Sequence, residues 1–196
     1  LAAAYRKTLD VTRVIAVGGS NGKTTTVNLI HQVLSRSLRG TASPKSFNNA
    51  VGVPLTILNA KRGDQYLVCE VGTNAPGEIL PLTRVIEPDI AVITSIGREH
   101  LEGLGSLQGV VQEEASLLNG LRPGGLAIVN ADAPGLVEAV KPRVAGEKRQ
   151  LLTFGFAETA DLRITSTEQT AEGLRLCLNG RTWFGLPLLG LHNASN

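Results

Sequence analysis

The stretch AVGGSNGKTTT, Ala16 to Thr26, has the make-up of a loop that cradles phosphate. Glycines let backbone N–H groups converge on phosphate oxygens, and a helix starting directly after them adds the partial positive charge of its N-terminus. In such a loop Gly19, Ser20, Asn21 and Gly22 form the cradle and Lys23 reaches the β- and γ-phosphates. Thr24, followed by Thr25, offers a hydroxyl to Mg²⁺. The spacing departs from the usual G-x-x-x-x-G-K-[ST], because counting back from Gly22-Lys23-Thr24 reaches Val17 where the first glycine belongs. A chance Gly-Lys-Thr in a tight turn is the competing reading. The flanks argue against it: VIAVG reads as a strand and TTTVNLIHQVL as a helix, the context a phosphate loop requires. The residues therefore predict a nucleotide site.

Other candidates stand at the ends of apolar runs. Glu70 stands near the end of QYLVCEV, where a charge is costly without a partner. A carboxylate at a strand's carboxyl edge beside a phosphate loop is well placed for Mg²⁺; a surface strand end is the alternative. His100 follows DIAVITSI, and on its residue type alone it reads as a solvated or hydrogen-bonded loop histidine. His31, inside the first helical pattern, carries no functional reading. No Ser-His-Asp or Cys-His set is visible.

The elements that must hold these residues follow from periodicity. RVIAVG (13–18), QYLVCEV (65–71), DIAVITSI (89–96) and GLAIVNA (125–131) are near-continuous apolar runs, as strands covered on both faces should be. Between them Thr24–Leu38 predicts a helix with Val27, Ile30, Val33 and Leu34 on one face. A second helix is predicted over Gly77–Val85, with Asn74 as cap and Pro76 in its first turn. A third spans Ser106–Leu121, with Leu107, Val110, Val111, Leu117 and Leu118 on one stripe. This alternation predicts an α/β fold, a phosphate-loop-containing, doubly wound, mostly parallel sheet flanked by helices. After about Gly155 the period becomes two, and Asn179-Gly180 is a hairpin signal. A small antiparallel β annex over about 155–188 is expected within one domain, 1–196.

Composition excludes other classes. A net charge of +2 with no dense Lys/Arg block leaves no footprint for nucleic acid or a membrane surface. No apolar run is long enough to span a membrane, and LAAAYRKTLD is not a signal peptide. Cys69 and Cys177 sit in apolar runs and read as buried free thiols of a reducing, cytoplasmic protein. With no methionine and an abrupt stop at LLGLHNASN, the chain is expected to be a segment of a longer protein.

GGSNGKTTT resembles the phosphate loop of the Mur ligases and folylpolyglutamate synthetases, ATP-dependent amide-bond formers. Their loop reads G-x-T-G-[ST]-N-G-K-T, so Ala16 replaces the first glycine and Gly18 the threonine. KSFNNAVGVPLTIL (45–58), EVGTNAPGEI (70–79), TSIGREHLEGLGSL (94–107) and GLHNASN (190–196) are similar to the branch that adds D-Ala-D-Ala to UDP-MurNAc-tripeptide in peptidoglycan precursor synthesis. The resemblance implies a central ATP-binding domain whose N-terminal UDP-binding and C-terminal partner domains belong to the same parent chain. It implies ATP and Mg²⁺ as cofactors and the two muropeptide precursors as substrates. Residue by residue, it implies Glu70 and His100 as metal ligands beside Thr24, and Asn193 and Asn196 as contacts to the adenine. Asn48, Asn49, Thr73 and Asn74 fall where the family handles the muropeptide or orders the site; turn and cap chemistry is their alternative.

One departure stands out. Many Mur ligases carry a lysine fourteen residues after this histidine, carbamylated to help hold Mg²⁺, and here that position is Glu114. No lysine lies between Lys61 and Lys141. Two readings remain open: Glu114 supplies a negative charge directly, despite its shorter reach, or Glu113 and Glu114 are an exposed helix face. The alternatives in function are another ligase of the superfamily and a pseudo-ligase that binds nucleotide without making bonds.

Overall fold

A computed structural model describes residues 1–97 and 104–195. Strand β1 (Arg13–Gly18) leads into helix α2 (Lys23–Leu34), after a short α1 (Ala2–Arg6). β2 (Gly40–Ala42), α3 (Gly52–Asn59), β3 (Tyr66–Glu70), α4 (Ile79–Ile86) and β4 (Ile90–Ile93) follow. Then come α5 (Leu107–Ala115), running into a 3₁₀ turn (Ser116–Gly120), β5 (Leu126–Asn130), α6 (Leu136–Val144) and β6 (Gln150–Gly155). The annex is β7 (Leu162–Thr170), β8 (Gly173–Leu178) and β9 (Thr182–Leu186), with a final 3₁₀ turn over Leu191–Ser195.

Residue alternation along the strands assigns the layers. Successive side chains of a strand point to opposite faces, so Val14 and Ala16 of β1 and Leu67 and Cys69 of β3 enter one core with α3, α4, α5 and α6. Ile15 and Val17 of β1, Tyr66 and Val68 of β3, and Val92 of β4 pack with Val27, Ile30 and Leu34 of α2 on the other face. Both faces are buried, which is why these strands read as continuous apolar runs.

The sheet order is β2-β3-β1-β4-β5-β6-β7-β8-β9. Pairing is parallel from β2 to β7 and antiparallel across β7-β8-β9. β1 thus lies between β3 and β4, with Val17 level with Glu70 and Gly18 level with Ile93. Three carboxyl ends therefore meet side by side, where ligands of such sheets bind. The annex continues the same sheet through β6–β7 and carries its own small core of Ile164, Leu174, Leu176 and Ala194. Its β8–β9 turn has positive φ at both Asn179 (53°) and Gly180 (66°), as an Asn-Gly hairpin requires.

Some expectations need correction. α2 ends at Leu34, four residues early, and Val33 is 66% exposed. Val33 stands about 240° around the helix from Val27, outside the stripe that Val27, Ile30 and Leu34 define. α4 starts at Ile79 instead of Gly77, so Pro76 precedes it and Asn74 does not cap it. Instead the Glu78 carboxylate binds the Asn74 and Ala75 N–H groups, and Glu113 of α5 takes the Ile79 N–H. α1, β2, α3, α6 and β6 add to the predicted elements. α1 is fixed by Arg6, buried, whose guanidinium donates to the carbonyls of Ile86 (2.7 Å) and Glu87 (2.9 Å) at the α4 C-terminus.

Leu67 is fully buried, so Leu67→Ala is expected to cost about 2–5 kcal/mol. Val33→Ala should stay within about 0.5 kcal/mol. Urea denaturation of the two variants checks the layer assignment, and equal costs would contradict it.

Candidate active site

The loop after β1 is built on Gly19 and Gly22. Gly22 (φ 83°) is the N-cap of α2, and Gly19 (φ 119°) leaves no room for a side chain, since a Cβ there would overlap Thr94 Oγ1. The segment after β4 braces the loop from the side. Ser20 N donates to Ser95 O (2.8 Å), Gly97 N to Ser20 Oγ (2.8 Å), and Thr94 Oγ1 to Asn21 O (2.6 Å). Ser95 Oγ accepts from Asn21 N at 3.0 Å. Thr94 and Ser95 thus shape the loop, a role that the types in TSIG do not signal because it rests on contacts more than 70 residues apart in sequence. Lys23 folds back, its Nζ donating to Gly19 O (2.6 Å) and Ser20 O (2.8 Å). Thr25 follows in the first turn of α2.

Glu70, level with Val17, is only 2% exposed, which removes the surface strand end as a reading. Its Oε2 accepts from Thr24 Oγ1 at 2.8 Å and its Oε1 from Asn48 Nδ2 at 3.0 Å, while its N–H donates to Ser43 Oγ (2.9 Å). The structure therefore brings Thr24, Glu70 and Asn48 together. A hydroxyl and a carboxylate are hard oxygen donors of the kind Mg²⁺ takes, usually one or two carboxylates completed by substrate phosphates. Among the described residues no cluster of three or more His, Cys, Asp or Glu side chains forms. His100 and Asn196 lie outside the described residues.

The other sequence-predicted residues divide between loop-building and exposure. Asn49 Oδ1 accepts from Val51 N (3.0 Å) and Gly52 N (2.9 Å) at the start of α3. Thr73 Oγ1 donates to Ala75 O (2.7 Å), and the Asn74 side chain is exposed. Beside them opens a cleft of about 490 Å³, lined by Asn49, Val51, Gly72, Asn74 and Glu78. Gly72 follows Glu70 by two residues, so this cleft adjoins the Thr24–Glu70–Asn48 group. Asn193, in the closing 3₁₀ turn, donates its Nδ2 to Leu189 O at 2.8 Å.

Glu113 and Glu114 are not an exposed face: they are 8% and 3% exposed. Glu114 Oε2 accepts from Gly19 N at 2.7 Å. Glu113 accepts from Gly77 N (2.8 Å) and Ile79 N (2.9 Å). Burial pushes the Glu114 carboxyl up to about 7; the Gly19 N–H and the Lys23 charge oppose the rise, and Glu113 adds to it. Burial likewise raises the Cys69 thiol to about 12, an inert thiol, and both cysteines are free and buried.

A raised carboxyl favours the fold while it is neutral. That contribution is complete below the unfolded value of about 4.5 and is lost as pH rises through about 7. Glu114→Gln should therefore flatten the fall in stability between about pH 4.5 and 7, a difference on the order of 3 kcal/mol. Denaturation midpoints of both proteins across that range check it; parallel curves would refute it.

The Mur ligase middle domain model matches residues 17–196. The UDP-N-acetylmuramoyl-tripeptide–D-alanyl-D-alanine ligase of Bacillus subtilis is 39% identical over 197 residues, 100% of this chain and 41% of its own length. That of Escherichia coli is 32% identical over 187 residues, 94% of this chain and 41% of its own. A crystal structure of MurF from Acinetobacter baumannii superposes with a TM-score of 0.89 at 30% identity, covering all of this chain and 43% of that one. MurF ligase from Thermotoga maritima, solved in complex with ADP, gives 0.80 at 28% identity, covering 93% of this chain and 42% of that one. The chain spans about two fifths of the length of these relatives.

Proposed function

The chain belongs to the Mur ligase family, and we propose that residues 1–196 are the ATP-handling middle domain of an enzyme that joins D-Ala-D-Ala to UDP-MurNAc-tripeptide. The carrying observation is the Thr24 hydroxyl bonded to the buried Glu70 carboxylate, directly behind a phosphate loop at the carboxyl edge of β1. ATP would lie with its phosphates over Gly19–Thr25, and the muropeptide in the cleft beside Asn49 and Asn74. The remaining domains of the parent chain would complete both sites.

The chemistry needs no side-chain nucleophile. The tripeptide carboxylate attacks the γ-phosphorus, giving an acyl phosphate and ADP; the D-Ala-D-Ala amine then attacks the acyl carbon, releasing phosphate and a proton as the amide forms. The protein contributes placement and charge neutralisation. Lys23 would exchange its loop carbonyls for the β- and γ-phosphates, aided by the α2 N-terminus. Thr24 and Glu70 would hold Mg²⁺, which offsets phosphate charge when bound. Asn48 keeps the Glu70 carboxylate oriented. The family resemblance adds His100 as a further metal ligand and Asn193 and Asn196 at the adenine.

The complete protein should release phosphate from ATP only when UDP-MurNAc-tripeptide and D-Ala-D-Ala are both present. Lys23→Ala should lower that rate by about 10²–10³-fold. Release with neither substrate or with a different amine would favour another ligase of the superfamily, and bound nucleotide without release would favour a pseudo-ligase. Residues 1–196 alone are expected to show no ligation, and turnover by this segment would count against the need for partner domains.

A further inference from the structure

Glu113 and Glu114 are neighbours on α5, about 100° apart around its axis, and that angle aims them at two different loops. Glu114 bonds the Gly19 N–H of the phosphate loop, and Glu113 bonds the Gly77 N–H, in the loop that forms one wall of the cleft, and the Ile79 N–H at the start of α4. Neither carboxylate caps its own helix. Both are more than nine-tenths buried, so neither can lose its N–H partners without leaving a buried carboxylate unpaired.

The helix that carries them is firmly packed. Val110, Val111 and Ala115 are buried, and the Thr83 hydroxyl of α4 donates to Leu117 O at 2.7 Å just past the end of α5. The loop has no slack against it either: a Cβ at Gly18 would sit 3.0 Å from Glu114 Oε2. A phosphate loop that shifts on seating a ligand must therefore carry Glu114 with it or break the Gly19 bond.

We propose that α5 is a strut coupling the phosphate loop to the cleft, with Glu114 positioning the loop through the Gly19 N–H and Glu113 positioning the cleft wall through Gly77 and Ile79. The proposal rests on the reading that the loop holds ATP and the cleft the muropeptide. Glu114 is thus a positioning residue, acting on nucleotide through a backbone N–H and by accepting a hydrogen bond, not by lending its charge to a metal.

Calorimetry on the complete protein tests this with a non-hydrolysable ATP analogue and Mg²⁺, titrated alone and at saturating UDP-MurNAc-tripeptide. The wild-type protein should bind the analogue about fivefold or more tightly with the muropeptide present. Glu113→Ala and Glu114→Ala should still bind each ligand, with that ratio reduced to within about twofold of one. Glu114→Gln, whose amide oxygen can still accept from Gly19, should restore most of the ratio, and Gln112→Ala on the exposed side of α5 should leave it intact. Glu114→Leu, close in volume, replaces the alanine variant if the latter unfolds. A wild-type ratio of one, an unchanged ratio in either alanine variant, or a Glu114→Gln variant as uncoupled as alanine would overturn the strut. A wild-type protein that binds no nucleotide overturns the functional reading itself, a separate result.

Discussion

Glu70, Glu113 and Glu114 are each less than one-tenth exposed, and a carboxylate out of water must be hydrogen-bonded or neutralised. Each meets that demand with donors from another part of the chain: Thr24 and Asn48 for Glu70, Gly77 and Ile79 for Glu113, Gly19 for Glu114. The start of α2, the loop before α3, the loop before α4 and the phosphate loop are thereby tied to strand and helix positions fixed by the apolar core. The architecture supplies three strand ends in register, and the acids convert that register into the placement of loops.

The sheet was legible because its strands are buried on both faces. A run such as RVIAVG leaves little choice when both its odd and even residues enter a core. The phosphate loop was legible from glycine, lysine and threonine in a strand–helix context. The annex showed through its period of two and through Asn179-Gly180. What escaped was tertiary in origin. Glu113 looks like a solvated residue beside Glu114, and only partners 34 and 36 residues away in sequence give it a buried role. Asn74 has the type of a cap, yet Glu113 takes the Gly77 N–H it would have served. β6, QLLTFG, follows a charged stretch and mixes polar with apolar residues, so its place in the parallel sheet is set by β5 and β7 more than by its own pattern.

Relatives with about 30% identity keep the same shape over the whole chain, which is understandable if few positions are tightly constrained. Gly19 cannot take a side chain without displacing Thr94, and Gly72 has the same relation to Asn48, whose Nδ2 would lie 2.9 Å from a Cβ there. Both glycines sit where one strand end touches the loop of another. The apolar positions between them need only match in volume and burial.

Position 114 shows how such constraints combine. A glutamate is shorter than a carbamylated lysine, and from α5 its carboxylate meets the back of the phosphate loop at Gly19. A negative charge behind a loop built to hold phosphate works against the ligand unless it is neutralised. Two features moderate it: the Lys23 charge, and burial that raises the carboxyl to about 7, so that its neutral form is populated near neutral pH. Either protonation state retains an oxygen that can accept from Gly19 N–H. The tether to the loop can therefore persist while the charge comes and goes. A side chain that holds the loop in both states can position it without imposing a permanent charge at its back.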